Sequence, residues 1–300
     1  MRFGLHALGI GTGARPEIIR AVSVAAETSG FATLWAGEHV VMVDQPGSRY
    51  PYSADGRIAV PPDADWLDPL LGLTFAAAVT SSIGLATGVL LLPEHNPVIA
   101  AKQAATLDVL ADGRLTLGIG IGWSAEEFAA LGVPFRRRAK RTAEYVAAMR
   151  KLWATDVSSF RGEFAHFDGV RVYPKPIRRR IPVVFGGNSD AALKRVADFG
   201  DGWYGFNLSA DEAEERVAVL SGLCRERGRS LSELTVAVAL TGGTPEMLPR
   251  LAAAGVTETV LLGAPPRSTM AATRWVTDLA ADWGVHHSVL PLTVTSGPLW

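Results

Sequence analysis

Residues able to do acid–base chemistry stand together directly after a short apolar segment, residues 33–36. They are Glu38 and His39. A carboxylate beside an imidazole can transfer protons or stabilise charge near a bound ring. The same pair can also serve a purely structural hydrogen bond. We treat Glu38 and His39 as the candidate catalytic pair.

Two glycine-rich segments follow other apolar segments. Residues 118–122 alternate glycine and isoleucine, and Trp123 follows them. Bare backbone at Gly120 and Gly122 would let a flat ligand approach, although such glycines also permit close strand packing. The second segment, Gly186-Gly187-Asn188-Ser189, precedes a helical pattern. Free amides at a helix N-terminus bind anions, so we predict a phosphate site there, with simple helix capping by Ser189 as the alternative.

Two further patterns indicate other enzyme classes more weakly. Residues 9–14 match the spacing of a dinucleotide-binding loop, with Ala14 at the third small position, but Pro16 places the helix start after the motif rather than within it. Residues 187–191 approach the nucleophile elbow of hydrolases, with Ala191 in place of the last glycine and Asp282 and either His286 or His287 following in hydrolase order. The match is degenerate, so both patterns remain open at a lower rank.

Apolar strand-like segments alternate with helical periods along the whole chain, which gives eight βα units in about 280 residues. Eight parallel strands with crossover helices predict an α/β fold, a single (β/α)8 TIM barrel. We place the barrel at residues 1–285, with an irregular insertion after strand four at 154–180 and a C-terminal tail at 286–300. Active sites of such barrels lie at the C-terminal ends of the strands, which is where the candidate residues stand.

Composition removes several classes of function. Lys and Arg total 29 against 30 Asp and Glu, so the net charge of −1 provides no field for nucleic acid or an anionic membrane. The longest apolar run, residues 83–93, is about half of what a membrane helix needs. The other histidines lack the spacing of metal ligands, and Cys224 is the sole cysteine. No signal peptide is evident, so we expect a cytoplasmic protein without a metal.

Several motifs in order along residues 1–285 resemble the luciferase-like superfamily of flavin- and deazaflavin-dependent oxidoreductases. Together they are most similar to its coenzyme F420-dependent branch. They include residues 34–39 (Leu-Trp-Ala-Gly-Glu-His), 48–52, 68–70, 88–93, 101–108, 117–123, 160–164, 186–187 and 200–203. Trp123 stands where the sugar-phosphate-oxidising branch carries an acidic residue, which disfavours that activity.

The resemblance implies a cofactor ring at the barrel mouth, resting on a non-proline cis peptide between Gly88 and Val89. Its phosphate would be held by residues 186–189. His39 would lie near the ring centre that receives hydride, and Glu38 would orient it. Trp35, Trp66 and Trp123 would wall an apolar substrate pocket, covered by the loop at 40–66.

The resemblance leaves the cofactor open. The first reading is an F420-dependent oxidoreductase that moves hydride between the deazaflavin and a small organic substrate. The alternative is a monooxygenase that uses reduced FMN and oxygen, and a third is a ligand-binding barrel without catalysis. The arginine triplets 136–138 and 178–180 slightly favour the anionic tail of F420. Relatives commonly pair through barrel helices, so we also expect a homodimer.

Overall fold

A computed structural model describes residues 1–286 of the chain. A closed barrel of eight parallel strands occupies its centre. The first strand pairs with both the second and the last, which closes the sheet. The strands are β1 (Arg2–Leu8), β2 (Thr33–Ala36), β3 (Gly84–Thr87), β4 (Leu90–Leu91), β5 (Leu115–Gly120), β6 (Ser158–Arg161), β7 (His166–Val170), β8 (Val183–Gly186), β9 (Gly202–Leu208), β10 (Thr235–Leu240) and β11 (Glu258–Leu262).

Two of these elements, β3 and β4, are successive halves of one barrel strand. Both pair with β5, and they are separated by Gly88 and Val89. The antiparallel hairpin β6–β7 stands apart from the barrel and lies within the insertion at 154–180. The prediction of a single TIM barrel with an insertion after strand four is confirmed.

Helices cover the outside of the barrel. Several begin with proline at the first position, where its missing N–H costs nothing. Side chains of Asp68, Asn96 and Ser124 cap three helix starts. Within residues 1–286 the helices are α1 (Pro16–Thr28), α2 (Pro69–Ala77), α3 (Pro97–Leu110), α4 (Ala125–Ala130), α5 (Arg138–Ala154), α6 (Asp190–Phe199), α7 (Ala210–Glu226), α8 (Leu248–Ala254) and α9 (Thr269–Trp283).

Alternation along the strands divides the apolar residues into two layers. Leu5, Leu34 and Leu117 face outward into the large core beneath the helices. A smaller cluster that includes Trp35 and Tyr204 fills the barrel interior. This interior packing forms the floor on which the strand ends stand.

The closed barrel also decides between the rival sequence patterns. The glycines of residues 9–13 lead into a short 3-10 helix, Gly11–Ala14, and α1 begins only at Pro16. A closed eight-stranded barrel is incompatible with the open sheet that the dinucleotide pattern requires. The predicted tail, apart from His286, lies outside the described residues. Between residues 1 and 286, no helix is both long and apolar enough to cross a membrane.

Candidate active site

A cavity of about 670 Å³ opens at the C-terminal ends of the strands. The loop at 40–66 forms one wall and is tied to the barrel. Asn207 Nδ2 donates to the Tyr52 carbonyl at 2.7 Å, and Trp66 Nε1 donates to the Gly37 carbonyl at 3.1 Å. Strand ends supply the opposite wall, so the loop covers a pocket that the barrel already shapes. The barrel-side lining includes His6, Glu38, His39, Gly88, Val89, Gly120, Gly122, Trp123, Gly186, Gly187, Asn188, Ser189, Tyr204 and Phe206.

The peptide bond between Gly88 and Val89 is cis, as the resemblance implied. The Val89 side chain fits between two glycines of neighbouring strands. A Cβ added to Gly120 would lie 2.6 Å from Val89 Cγ2, and one added to Gly186 would lie 2.9 Å from Val89 Cγ1. All four residues line the cavity. Bare backbone at the two glycines therefore leaves room for Val89, and Gly88, Val89 and Gly120 form a shelf in the cavity wall. A larger residue at either glycine would displace the Val89 side chain.

His39 lies at the edge of the cavity, nearly buried, with its Nδ1 2.8 Å from Glu127 Oε2. The other oxygen of Glu127 accepts from the Val40 N–H at 2.7 Å and the Val41 N–H at 3.3 Å. A carboxylate held by two backbone amides is an acceptor, so the proton shared with His39 belongs to Nδ1. Nε2 is then the imidazole atom that remains available for chemistry. Sequence reasoning missed Glu127, which is 88 positions away.

The prediction that Glu38 orients His39 is wrong. Glu38 Oε2 accepts from the Leu91 N–H at 2.6 Å, and Oε1 lies 3.0 Å from His95 Nε2. Glu38 and His39 lie just beyond the end of β2, and their side chains have separate partners, so adjacency in the sequence does not join them. Although Glu38 lines the cavity, its contacts fix the β4 segment and His95.

A third carboxyl group, that of Glu94, lies close to Glu38 and Glu127. It is buried and neither oxygen has a hydrogen-bond partner within residues 1–286. Burial, with repulsion from Glu127 and Glu38, raises its pKa to about 9. Glu94 is therefore a neutral acid at neutral pH. In this described part of the chain no group of three acidic, histidine or cysteine side chains has the geometry of a metal site.

The predicted phosphate segment lies beside two arginines that sequence reasoning did not place there. Arg138 and Arg195 line the cavity, and neither forms an ion pair within the described residues. Arg195 Nε is buried without a hydrogen-bond partner. Burial, and then repulsion from Arg138, lowers the pKa of Arg195. Two unneutralised guanidinium groups in one cavity wall create a site for an anion.

Within the phosphate segment itself, two side chains have protein partners. Asn188 Nδ2 donates to the Phe206 carbonyl at 2.8 Å, and its Oδ1 accepts from the Phe206 N–H at 3.2 Å. Ser189 Oγ accepts from the Ala192 N–H and caps α6.

The Gly187 carbonyl accepts from Trp203 Nε1 at 2.9 Å, and Gly186 pairs with Tyr204 in the sheet. The N–H groups at the start of α6, together with the arginines, are what this segment offers to an anion. Gly187 has φ of +107°, which favours glycine.

Trp66 and Trp123 line the cavity as predicted, but Trp35 does not. The rings of Trp66 and Trp123 stand edge-on to His39, with centroids 4.8 and 5.7 Å away. Trp35 is buried inside the barrel, where it stacks on Tyr204 at 4.5 Å. Its position on β2 points it to the barrel interior, one layer below the mouth.

The arginine triplets are separated by the fold. Arg178–Arg180 precede β8 and therefore lie at the end of the barrel opposite the cavity. Arg179 pairs with Asp156 and Arg180 with Asp201. Of the other triplet, Arg137 pairs with Glu163, and Arg138 is the member that lines the cavity. The expectation that both triplets could serve one ligand tail is wrong for 178–180.

Comparison with known proteins agrees with this architecture. Residues 1–242 match the family of luciferase-like monooxygenases. An uncharacterised protein of Mycobacterium tuberculosis is 36% identical over 282 residues, 94% of this chain and 98% of that protein. The coenzyme F420-dependent tetrahydromethanopterin reductase of Methanopyrus kandleri shares the fold at 18% identity, with a TM-score of 0.72 over 94% of this chain and 97% of that one.

A flavin enzyme also shares the fold. The oxygenating constituent of 3,6-diketocamphane monooxygenase from Pseudomonas putida, solved with FMN, has a TM-score of 0.62 at 19% identity. That match covers 84% of this chain and 70% of the other. The neighbours thus include both F420-dependent and FMN-dependent enzymes. The chain belongs to the luciferase-like monooxygenase family, whose members are F420- or flavin-dependent oxidoreductases and monooxygenases.

Proposed function

We propose that the protein is an F420-dependent oxidoreductase that transfers hydride between the deazaflavin ring and a small alcohol or carbonyl compound. The observation that carries the proposal is the buried pair of His39 and Glu127 in the cavity wall. Interconverting an alcohol and a carbonyl moves a hydride and a proton together. A histidine held by a carboxylate is suited to the proton half of that exchange.

The residues around the cavity fit a phosphate-bearing ring cofactor. The shelf of Gly88, Val89 and Gly120 would support a flat ring, because Gly120 leaves room for the Val89 side chain to lie along the cavity wall. The phosphate would bind Arg138, Arg195 and the N–H groups at the N-terminus of α6, which follows Gly186 and Gly187. The unpartnered Nε of Arg195 supports this placement. When bound, F420 supplies a carbon that accepts or donates hydride.

The protein's own part begins at His39 Nε2, which takes the hydroxyl proton of the alcohol or returns it to the carbonyl oxygen. Glu127 keeps Nδ1 protonated and stabilises the imidazolium that forms. Trp66 and Trp123 pack edge-on against the His39 imidazole and fix the plane of that imidazole. With the 40–66 loop above them, these aromatic walls exclude water from the reacting atoms.

The alternative function is a monooxygenase that uses reduced FMN and oxygen, and one observation favours it. Arg138, Arg195 and the N-terminus of α6 together offer more positive charge than the singly charged phosphodiester of F420 requires. FMN carries a phosphomonoester with close to two negative charges, which would match two guanidinium groups. In F420 the second arginine would instead pair with a carboxylate of the tail.

Titration with F420 and with FMN, followed by tryptophan fluorescence, tests the proposal. Trp66 and Trp123 line the cavity, so a bound ring should quench their emission. We expect F420 to bind more tightly than FMN. Tighter binding of FMN would support the monooxygenase. Binding of neither cofactor would contradict both functions and leave a cavity for some other ligand.

We also infer that the protein acts in the cytoplasm as a homodimer. The one cysteine, Cys224, is buried and unpaired, which is compatible with a reducing compartment. The neighbouring helices α2 and α3 expose Leu71, Ile99 and Leu110 by 70, 58 and 61%. Exposed apolar side chains on two adjacent helices support an interface there. Light scattering of the protein and of an Ile99→Lys variant would test the dimer.

A further inference from the structure

Two residues on the cavity floor, His6 on β1 and Tyr204 on β9, have no part in the hydride and proton transfer proposed for the site. His6 Nδ1 lies 2.8 Å from Tyr204 Oη, although 198 positions separate them in the chain. We propose that His6 is a second functional histidine, a neutral imidazole fixed by Tyr204, whose Nε2–H donates to an acceptor atom of the ring on the Gly88–Val89 shelf. The identity of that ring rests on the proposed function.

The protonation state follows from where the two groups lie. Burial deep in the barrel lowers the pKa of His6 to about 4, so the imidazole is neutral at pH 7. Burial also raises the pKa of the Tyr204 hydroxyl well above its usual 10, and negative charge from Glu258 raises it further. Tyr204 therefore keeps its hydrogen. The pair consists of one neutral imidazole and one neutral phenol.

The direction of the hydrogen bond follows from what each group can donate. Among residues 1–286, His6 is the partner of the Tyr204 hydroxyl. If His6 donated to Tyr204, the hydroxyl hydrogen would be left buried without an acceptor, which native structures avoid. Tyr204 must therefore donate to His6 Nδ1. The single proton of the neutral ring then resides on Nε2.

The free donor lies next to the shelf. His6 Nε2 has no hydrogen-bond partner in the described chain, and its ring lines the cavity. A Cβ added to Gly88 would lie 3.3 Å from His6 Cε1, and one added to Gly37 would lie 3.4 Å from Nε2. The bare backbone at both glycines lets the imidazole reach the place where the ring would rest.

A support beneath the pair holds Tyr204 in position. Its ring stacks on Trp35 at a centroid distance of 4.5 Å and an angle of 15°. Trp35 Nε1 in turn donates to Glu258 Oε1 at 2.8 Å. A Cβ added to Gly4 would lie 2.6 Å from both of those atoms, so the contact requires glycine there. Trp35 and Glu258 are positioning residues for a hydrogen-bond donor one layer above them.

A neutral imidazole suits this task. Its N–H stabilises negative charge that develops on an oxygen or nitrogen acceptor during hydride transfer, without placing a full charge in a buried site. His39 moves a proton, whereas His6 keeps its own. The two histidines therefore divide proton transfer and charge stabilisation between them.

The test is a nitrogen-15 NMR spectrum of the histidine side chains in the full-length protein at pH 7. We expect the His6 signal to show an unprotonated Nδ1 and a protonated Nε2. Adding F420 or FMN, whichever the protein binds, should move the Nε2–H proton resonance downfield. Tyr204→Phe keeps the ring that stacks on Trp35 but should give a mixture of His6 tautomers. His166→Gln, on the exposed hairpin, is the matched control and should leave the His6 signal unchanged.

Binding measurements complete the test. Tyr204→Phe and His6→Phe should weaken cofactor binding about 3- to 10-fold, while His6→Gln, which retains an N–H, should lose less. A protonated Nδ1, an imidazolium at pH 7, or wild-type affinity in both phenylalanine variants would overturn the proposal. Binding of neither cofactor would refute the proposed function and the ring as the acceptor. The spectrum of the free protein would still decide the tautomer on its own.

Discussion

Replacing Glu127 by glutamine keeps the shape of the side chain but exchanges one carboxylate oxygen for an NH2 group. The amide oxygen must take the place of Oε1, because the N–H groups of Val40 and Val41 both donate there. The NH2 group then faces His39 Nδ1, where Glu127 Oε2 stood at 2.8 Å. This contact requires a lone pair on Nδ1 and puts the proton on Nε2. His39 could then no longer accept a proton from substrate.

The size of the effect follows from the cost of restoring the active tautomer. Turning the amide around would leave buried backbone donors facing an NH2 group, at about 1–3 kcal/mol. That cost corresponds to about a 5- to 150-fold slower reaction. Stopped-flow measurement of hydride transfer with saturating F420 provides the assay, and the affinity for F420 should stay near that of the wild type.

The matched control is Glu215→Gln on α7, where the carboxylate pairs with Arg216 on the surface. It should react as the wild type does. Hydride transfer at the wild-type rate in Glu127→Gln would refute the assignment of His39 as the proton-transfer group. A loss of F420 binding without a slower step would instead give Glu127 a structural role.

Three further predictions concern the surroundings of the site. Arg195→Gln should weaken binding of the phosphate-bearing cofactor about tenfold and leave binding of the same ring without phosphate unchanged. Fluorescence titration measures both affinities, and an equal loss for the two ligands would contradict a phosphate at Arg195. Glu94 has its pKa raised from 4.5 to about 9, so the stability it provides when protonated is lost as the pH rises between those values. Chemical denaturation should therefore show that the free energy of unfolding of Glu94→Gln exceeds that of the wild type by more at about pH 8.5 than at about pH 5. An equal excess at both pH values would contradict a protonated Glu94. Gly118→Ala would push a methyl group into the Thr87 carbonyl and should destabilise the fold by about 1–3 kcal/mol, whereas Gly222→Ala in α7, where nothing lies within 4 Å, should not. Equal melting temperatures of the two variants would contradict the packing of β5 on β3.

The barrel was predictable from sequence because its signals are local. Each βα unit carries its own apolar run, and helix starts are marked by residues such as Pro16 and Ser124. The cis bond at Gly88 and the cavity position of Trp123 followed from motifs that resemble a known family. The helix starts depend on neighbours within a few residues, whereas the cis bond and Trp123 were predicted through the resemblance.

The errors concern contacts between distant segments. The resemblance implied that Glu38 orients His39, but Glu38 contacts Leu91 and His95, and a helix residue, Glu127, provides the carboxylate. Trp35 was assigned to the pocket because of its type, while its register on β2 directs it into the barrel interior. The partnership of His6 with Tyr204 has no local signal, since barrel closure brings them together.

The central claim is that this cavity supports hydride transfer. Reduced F420 mixed with the protein and a panel of small ketones, without oxygen, tests it most directly through the absorbance of oxidised F420. Reoxidation of F420 that depends on the ketone and slows in His39→Ala is the predicted result. No reoxidation of F420 by any ketone without oxygen, together with oxygenation of a ketone by reduced FMN once oxygen is admitted, would contradict hydride transfer and indicate a monooxygenase.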